Sequence, residues 1–179
     1  MVSKLRPVDE VISYLLENVK PIDESKTVDL DDALGLYLAE DIISSIDVPP
    51  AANSAMDGYA VISSEMIEGG VYDVSARIPA GSVGDAIEPG SIVRIFTGAH
   101  IPPGADAVVM QEDTEVIDGR VKINAVPAVG KNIRPQGQDI STGNVILKRG
   151  RRLQPQDLGL AASVGKSRVD IYRTLRVSV

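Results

Sequence analysis

Cysteine and tryptophan are absent from this sequence, and phenylalanine and histidine occur once each, as Phe96 and His100. Without thiols there is neither a disulfide framework nor a thiolate nucleophile. A single histidine argues against histidine-rich metal centres and against a Ser-His-Asp arrangement drawing on several histidines. Five tyrosines are the only other aromatics, so the core must be built from Val, Ile, Leu and Ala. Basic residues are also few, 18 Lys and Arg against 25 Asp and Glu, for a net charge of −7. That balance argues against a nucleic-acid partner, because phosphate contacts need concentrated cations. No apolar run approaches about 18 residues and no signal-like stretch opens the chain, so a cytoplasmic protein without membrane contact is expected.

What is present suits one medium domain or two small ones: 179 residues, 44% hydrophobic and 24% charged. Sixteen glycines and eleven prolines fit a turn-rich β protein. Charge is unevenly placed. Residues 23–41 hold seven acids against Lys26, whereas residues 148–176 hold eight bases against Asp157 and Asp170. The expectation is that these segments meet, within one domain or across a subunit interface.

Residues 7–19 predict an amphipathic helix: Pro7 suits the first turn, Asp9 and Glu10 its positive end, and Val8, Val11, Ile12, Leu15 and Leu16 form a stripe. A short strand over 27–30, a helical turn over 31–34 punctuated by Gly35, and a strand over 36–46 follow. From Pro49 to about Ile140 the pattern is short strands between Gly/Pro turns: 58–62, 71–76, 92–95, 107–111, 114–117 and 121–123. Asp118-Gly119 marks a type I′ hairpin. A helix opened by Pro155 and closed by Gly165, then a strand over 168–172, complete the pattern. Residues 175–179 start a further strand, which reads as a cut chain, hence a fragment. The expected fold class is α+β: a mixed α/β domain (1–46 plus 145–179) interrupted by an inserted, β-rich, barrel-like domain (47–144).

Three polar loops in the insertion are candidates for chemistry. The first, 53–59, places Asn53, Ser54, Asp57 and Tyr59 around Gly58 behind Pro49-Pro50. The second joins Thr97 and Gly98, and the third spans 132–140 with Arg134 and Asp139. Glycine exposes backbone N–H groups to anions, arginine grips oxyanions, and paired aspartates such as Asp57 and Asp139 suit Mg²⁺. Singly, each is as well read as an ordinary turn or surface residue, and no nucleophile–base pair stands out.

Four blocks together go further. Residues 47–61, 94–112, 132–140 and 153–165 resemble, in order and spacing, the signatures of molybdopterin molybdenumtransferases, enzymes similar to the E domain of gephyrin. One departure is that Ala51-Ala52 stand where that family usually has Phe and a polar or acidic residue, which removes an aromatic anchor. The resemblance implies a homodimer of four-domain subunits. This chain would carry domains I and II and lack the pterin-binding domain III, its first strand excepted. It implies insertion of molybdate into adenylylated molybdopterin with release of AMP, assisted by Mg²⁺, after a partner enzyme has adenylylated the pterin. The cleft would lie between domain II of one subunit and domain III of the other, leaving this chain inactive alone. By the same resemblance, Asp57, Thr97 and Asp139 are the catalytic candidates. Asp57 would act electrostatically or as a metal ligand, Thr97 would donate a hydrogen bond to substrate oxygens, and Asp139 would position a neighbour or a metal-bound water. Asn53, Ser54, Gly58, Gly98 and Arg134 would shape the substrate wall. Two other readings stay open: a dimerising scaffold module without catalysis, and a β insertion without a site.

Overall fold

Short apolar runs between glycines favour small sheets over long helices, and the computed structural model, which describes residues 6–175, is mostly β with two helices and several small sheets. In chain order come helix α1 (Val8–Asn18), strands β1 (Ser25–Asp29), β2 (Ile42–Ile43), β3 (Asn53–Ser54), β4 (Gly58–Val61), β5 (Val71–Tyr72) and β6 (Val74–Ile78). There follow β7 (Ile92–Ile95), β8 (Ala107–Met110), β9 (Thr114–Ile117), β10 (Arg120–Ile123), β11 (Ile133–Arg134), β12 (Val145–Leu147), helix α2 (Pro155–Ser163) and β13 (Arg168–Tyr172). The chain divides into two compact units, Met1–Ile42 with Val145–Val179, and Ile43–Asn144.

In the first unit β1 pairs antiparallel with β13 and β2 pairs with β12. Leu30, Ala33, Leu38, Leu147, Leu153, Ala161, Val169 and Ile171 form its core. The acidic and basic segments do meet here: Asp29 pairs with Arg168 at 3.3 Å and Glu24 with Arg173 at 2.6 Å. Asp157, buried at the start of α2, accepts hydrogen bonds from the Gln154 N–H at 3.0 Å and Arg151 Nε at 2.9 Å. Its carboxyl is held below the usual range, chiefly by the Arg151 guanidinium. The strand expected over 36–46 does not form as one ladder. Leu38 N–H bonds to Arg151, Ala39 N–H to Asp170, and Tyr37 O accepts from Tyr172, so successive residues serve different partners. Helix α1 forms where its pattern predicts, yet its stripe is uncovered: Val8 is 72% exposed and Leu16 78%. Periodicity says that a face is apolar without saying what will cover it. Beyond Leu175, the strand expected over 175–179 lies outside the described residues.

The second unit holds a four-stranded sheet in the order β6-β7-β4-β8 and a three-stranded sheet in the order β5-β10-β9. The larger sheet is apolar on both faces for part of its area. Ala60, Val93, Ile95 and Val108 join one cluster, while Val61, Ile92, Ala107 and Val109 join another with Tyr72, Val121 and Ile123 of the smaller sheet. The period-2 alternation of strands splits neighbouring residues between these clusters, which explains near-continuous apolar runs such as Ile92-Val93 and Ala107-Val108-Val109. The turn between β9 and β10 has positive φ at Asp118 (50°) and Gly119 (80°), as the type I′ expectation requires. The barrel-like expectation is corrected: among the described residues no sheet closes, and β6 and β8 remain the edges of their sheet. The strand expected over 71–76 is two strands, because the chain leaves one sheet at Tyr72 and joins the other at Val74. A closed barrel needs one continuous ladder, and this switch interrupts it.

Candidate functional site

Backbone hydrogen bonds bring the three polar loops of the second unit together. Ser54 N–H donates to Ala99 O at 2.9 Å, Gly98 N–H returns to Ser54 O at 2.9 Å, and Ala55 N–H reaches Asn132 O at 2.9 Å. Strand β3 pairs with β11, setting Asn53 opposite Arg134, while a bridge joins Asn53 to His100. Asp57 immediately precedes β4 and Thr97 lies two residues beyond β7. Because those strands run antiparallel with Gly58 opposite Ile95, their ends lie side by side.

The result is a direct contact. Asp57 Oδ1 accepts from both the Thr97 N–H and the Thr97 hydroxyl, each at 2.8 Å. These donors, the backbone N–H first, hold the Asp57 carboxyl below its ordinary value, with Arg94 adding a smaller electrostatic contribution. Asp57 is therefore an ionised acceptor at neutral pH, and its Oδ2 has no protein hydrogen bond among the described residues. Thr97 has one hydroxyl proton, and Asp57 takes it. While this contact holds, the Thr97 oxygen faces a ligand as an acceptor.

Gly58 is fixed by packing. A Cβ there would stand 1.9 Å from the Val109 carbonyl oxygen, so the close approach that glycine permits is made by strand β8. Ser54 is fully buried, and its hydroxyl donates to Met56 O inside the loop. Asn53 is half-buried, and its Oδ1 is enclosed with no hydrogen-bond partner among the described residues. Gly98 and Arg134 are exposed. Asp139 is exposed too. Its backbone N–H donates to Val48 O at 2.9 Å, and its side chain has no hydrogen bond to Asp57 or Thr97 among the described residues.

Among the described residues no group of three or more His, Cys, Asp or Glu could hold a metal ion. The Asp57 oxygen that Thr97 leaves free would ligate Mg²⁺ only where other oxygens complete the octahedron.

Three features escaped the sequence reading. Asp47 clamps the third loop with both oxygens, Oδ1 accepting from Thr142 N–H at 2.7 Å and Oδ2 from Gln136 Nε2 at 2.6 Å. Asp106 likewise uses both, on the Ser63 N–H (2.7 Å) and hydroxyl (2.8 Å). Arg94 sits beside the Asp57 contact, donating to Gly58 O at 3.3 Å and to Gln111 Oε1 at 2.6 Å. Only strand register reveals that last placement, since Tyr59 stands opposite Arg94.

Comparison with known proteins places this geometry. A family profile described as the MoeA N-terminal region (domain I and II) matches residues 6–165. The molybdopterin molybdenumtransferase of Haemophilus influenzae is 40% identical over 174 residues, covering 96% of this chain and 43% of that protein. Molybdopterin molybdenumtransferase 2 of Mycobacterium tuberculosis is 35% identical, covering 98% and 44%. The crystal structure of a molybdopterin biosynthesis MoeA protein from Pyrococcus horikoshii superposes with a TM-score of 0.87 at 32% identity, over 94% of this chain and 46% of that one. The chain therefore spans less than half the length of these relatives. With Asp57, Thr97 and the three interlocked loops lying inside the matched span, the chain belongs to the MoeA N-terminal region family, comprising domains I and II, of the molybdenum cofactor biosynthesis proteins.

Proposed function

We propose that this chain supplies one wall of the site at which molybdate is inserted into adenylylated molybdopterin with release of AMP. The observation that carries the reading is the Asp57 carboxylate, kept ionised by Thr97 through one oxygen while the other stays free at the meeting point of three loops. Such a carboxylate cannot act as a general acid near neutral pH. It can orient a water or ligate a cation that neutralises the phosphates, the ways in which a fixed negative charge assists cleavage of an adenylyl phosphoanhydride. Mg²⁺, if recruited, would take the free Asp57 oxygen and find its other ligands on substrate phosphates and water. Thr97 fixes the carboxylate and presents its oxygen as an acceptor; Asp139 and Arg134, exposed on the third loop, would contact the substrate.

On this reading the second wall comes from a pterin-binding domain, for which the relatives have room beyond the span matched here. The chain alone would then be inactive, and its homodimer and its exchange with a pterin-adenylylating enzyme belong to a longer protein. A dimerising scaffold role is the second reading, supported by the uncovered stripe of α1. No helix among the described residues is long and apolar enough to cross a membrane.

The deciding experiment is molybdate insertion measured in the full-length protein carrying Asp57→Asn. Asparagine keeps an acceptor for both Thr97 donors while removing the charge, so activity should fall with the fold intact. Full activity in that variant would overturn the reading.

A further inference from the structure

One face of the four-stranded sheet is covered for only part of its extent. Ile92, Val61, Ala107 and Val109 lie under the three-stranded sheet, but the same face continues past them as a row of different character. Across β6, β7 and β4, Arg77 stands opposite Arg94 and Arg94 opposite Tyr59. The carbons of both guanidiniums lie 4.8 Å from the centre of the Phe96 ring, and that of Arg94 also lies 5.0 Å from the Tyr59 ring. These side chains border an open depression of about 570 Å³.

Arg77 reaches this face only through an irregularity. The β6–β7 register slips between Val74 and Ala76, leaving Ser75 as an extra residue. Without it Arg77 would stand opposite Ile95 and point at the apolar cluster of Ala60, Val93 and Val108. With it Ile78 takes that place, buried at 3% exposure, and Arg77 turns to the Arg94 side. Bulges that re-aim a side chain are characteristic of functional positions, and they are uncommon between parallel strands such as these.

Two cations over one ring repel each other, so a shared site for them needs an anion. No ion pair supplies it: neither Arg77 nor Arg94 pairs with Asp or Glu among the described residues, in a chain whose net charge is −7, and Asp57, whose Oδ1 is engaged by Thr97, acts on Arg94 only through space. Arg77 has no hydrogen-bond acceptor there either, whereas Arg94 uses part of its fork on Gly58 O and Gln111. Contact with the Phe96 ring holds both guanidinium carbons within 4.8 Å of one centroid, and guanidinium forks so gathered can grip a tetrahedral oxyanion.

We propose that Arg77 and Arg94, presented on Phe96 and Tyr59, form a binding site for a doubly charged tetrahedral oxyanion. Arg94 connects it to Asp57 through Gly58. Two sources share this chemistry, a phosphate ester and a free metal oxyanion; which is physiological rests on the functional reading above.

The test is calorimetric titration of the 179-residue chain with AMP, inorganic phosphate, molybdate and, as an uncharged control, adenosine. At least one oxyanion should bind and adenosine should not, with affinity falling as salt rises. Arg77→Gln should weaken that binding by about tenfold or more, and Arg77→Lys, which keeps charge but not the fork, should recover only part of it. AMP binding more tightly than phosphate or molybdate would identify a phosphate ester; molybdate binding most tightly would identify the free oxyanion. Arg77 is exposed, so Gln and Lys variants should melt as the parent does. The proposal falls if no oxyanion binds, if Arg77→Gln binds as the parent does, or if adenosine matches AMP. Such a failure leaves the Asp57→Asn test untouched, and full activity in Asp57→Asn would leave this anion site standing.

Discussion

Two loops of the second unit are tied by aspartates of similar exposure and opposite use. Asp47 gives Oδ1 to the Thr142 N–H and Oδ2 to the Gln136 amide, so both its oxygens hold the third loop against the start of the first. Asp57 gives Oδ1 alone, to two donors of one residue, Thr97. Each carboxyl lies below its ordinary value for the same leading reason, a backbone N–H. The difference lies in what remains: both oxygens of the first carboxylate are engaged, whereas the second keeps one oxygen with no protein hydrogen bond among the described residues. Asp106, with both oxygens on Ser63, falls on the side of Asp47. A fully used carboxylate is a fastener, whereas a half-used one, held rigidly, is a fastener with a reactive edge.

The comparison breaks most sharply in a crossed pair of variants. In the full-length protein Asp57→Asn should lower insertion activity by about a hundredfold or more, the scale on which misplacing a reacting group or its metal acts. Its melting temperature should barely move, because asparagine Oδ1 still accepts from Thr97. Asp47→Asn should reverse the order. An amide NH₂ would then face either the Gln136 NH₂ or the Thr142 N–H, so the melting temperature should drop while activity per folded molecule is largely kept. Thermal melting beside initial rates separates the two. Equal activity losses in both variants would erase the distinction.

A smaller but still large effect tests what holds Asp57 in place. Gly58→Ala puts a methyl group 1.9 Å from the Val109 carbonyl, backbone that cannot swing aside. Strand β4 must shift from β8, at about 1–3 kcal/mol by the usual cost of overpacking. Urea unfolding should show a lower midpoint with an unchanged slope. Gly98→Ala meets no neighbour, yet φ is +82° there, so its cost should be confined to backbone strain of about 1 kcal/mol. If the two glycines lose equal stability, Gly58 is not the packing constraint that its surroundings indicate.

How much of this the sequence shows depends on how local the cause is. The Asp118-Gly119 turn, the strand over 92–95, the strand over 168–172 and the helix from Pro155 are legible because neighbours in sequence set them. The family is legible from four ordered blocks. What stays hidden is long-range. Asp47 reaches Thr142 across 95 positions, and no spacing rule relates them. The sheet switch at Asp73 looks like one strand because alternation continues through it. Arg77 and Arg94 meet only because Ser75 shifts the register, which neither residue's surroundings in sequence announce. For the site itself, the residue types of Asp57 and Thr97 are visible, but the single proton between them, and hence Thr97 as acceptor, needs coordinates.

The smallest effect is the dependence of stability on acid. Asp47 and Asp57 are both depressed from 3.8 in the folded protein. Between the folded value and the unfolded one the native carboxylate is ionised while the unfolded one binds a proton. The unfolded state therefore holds more protons there, and stability rises with pH across that window. Their contribution is complete above about pH 4 and is lost as pH falls through the folded values. Asp47→Asn should flatten the acid limb of the melting-temperature curve, and Asp57→Asn should flatten it too. Neither should abolish it, because buried Asp157 is depressed in the same direction and remains in both variants. The limb should also respond differently to ligand. An oxyanion bound at Arg77 and Arg94 would set a negative charge beside the free oxygen of Asp57 and raise its pKa, leaving Asp47 unaffected. Added phosphate should raise the melting temperature of all three by mass action, and in the parent and Asp47→Asn it should also move the acid limb relative to Asp57→Asn; identical limb shifts in all three would mean that Asp57 does not sense the bound anion.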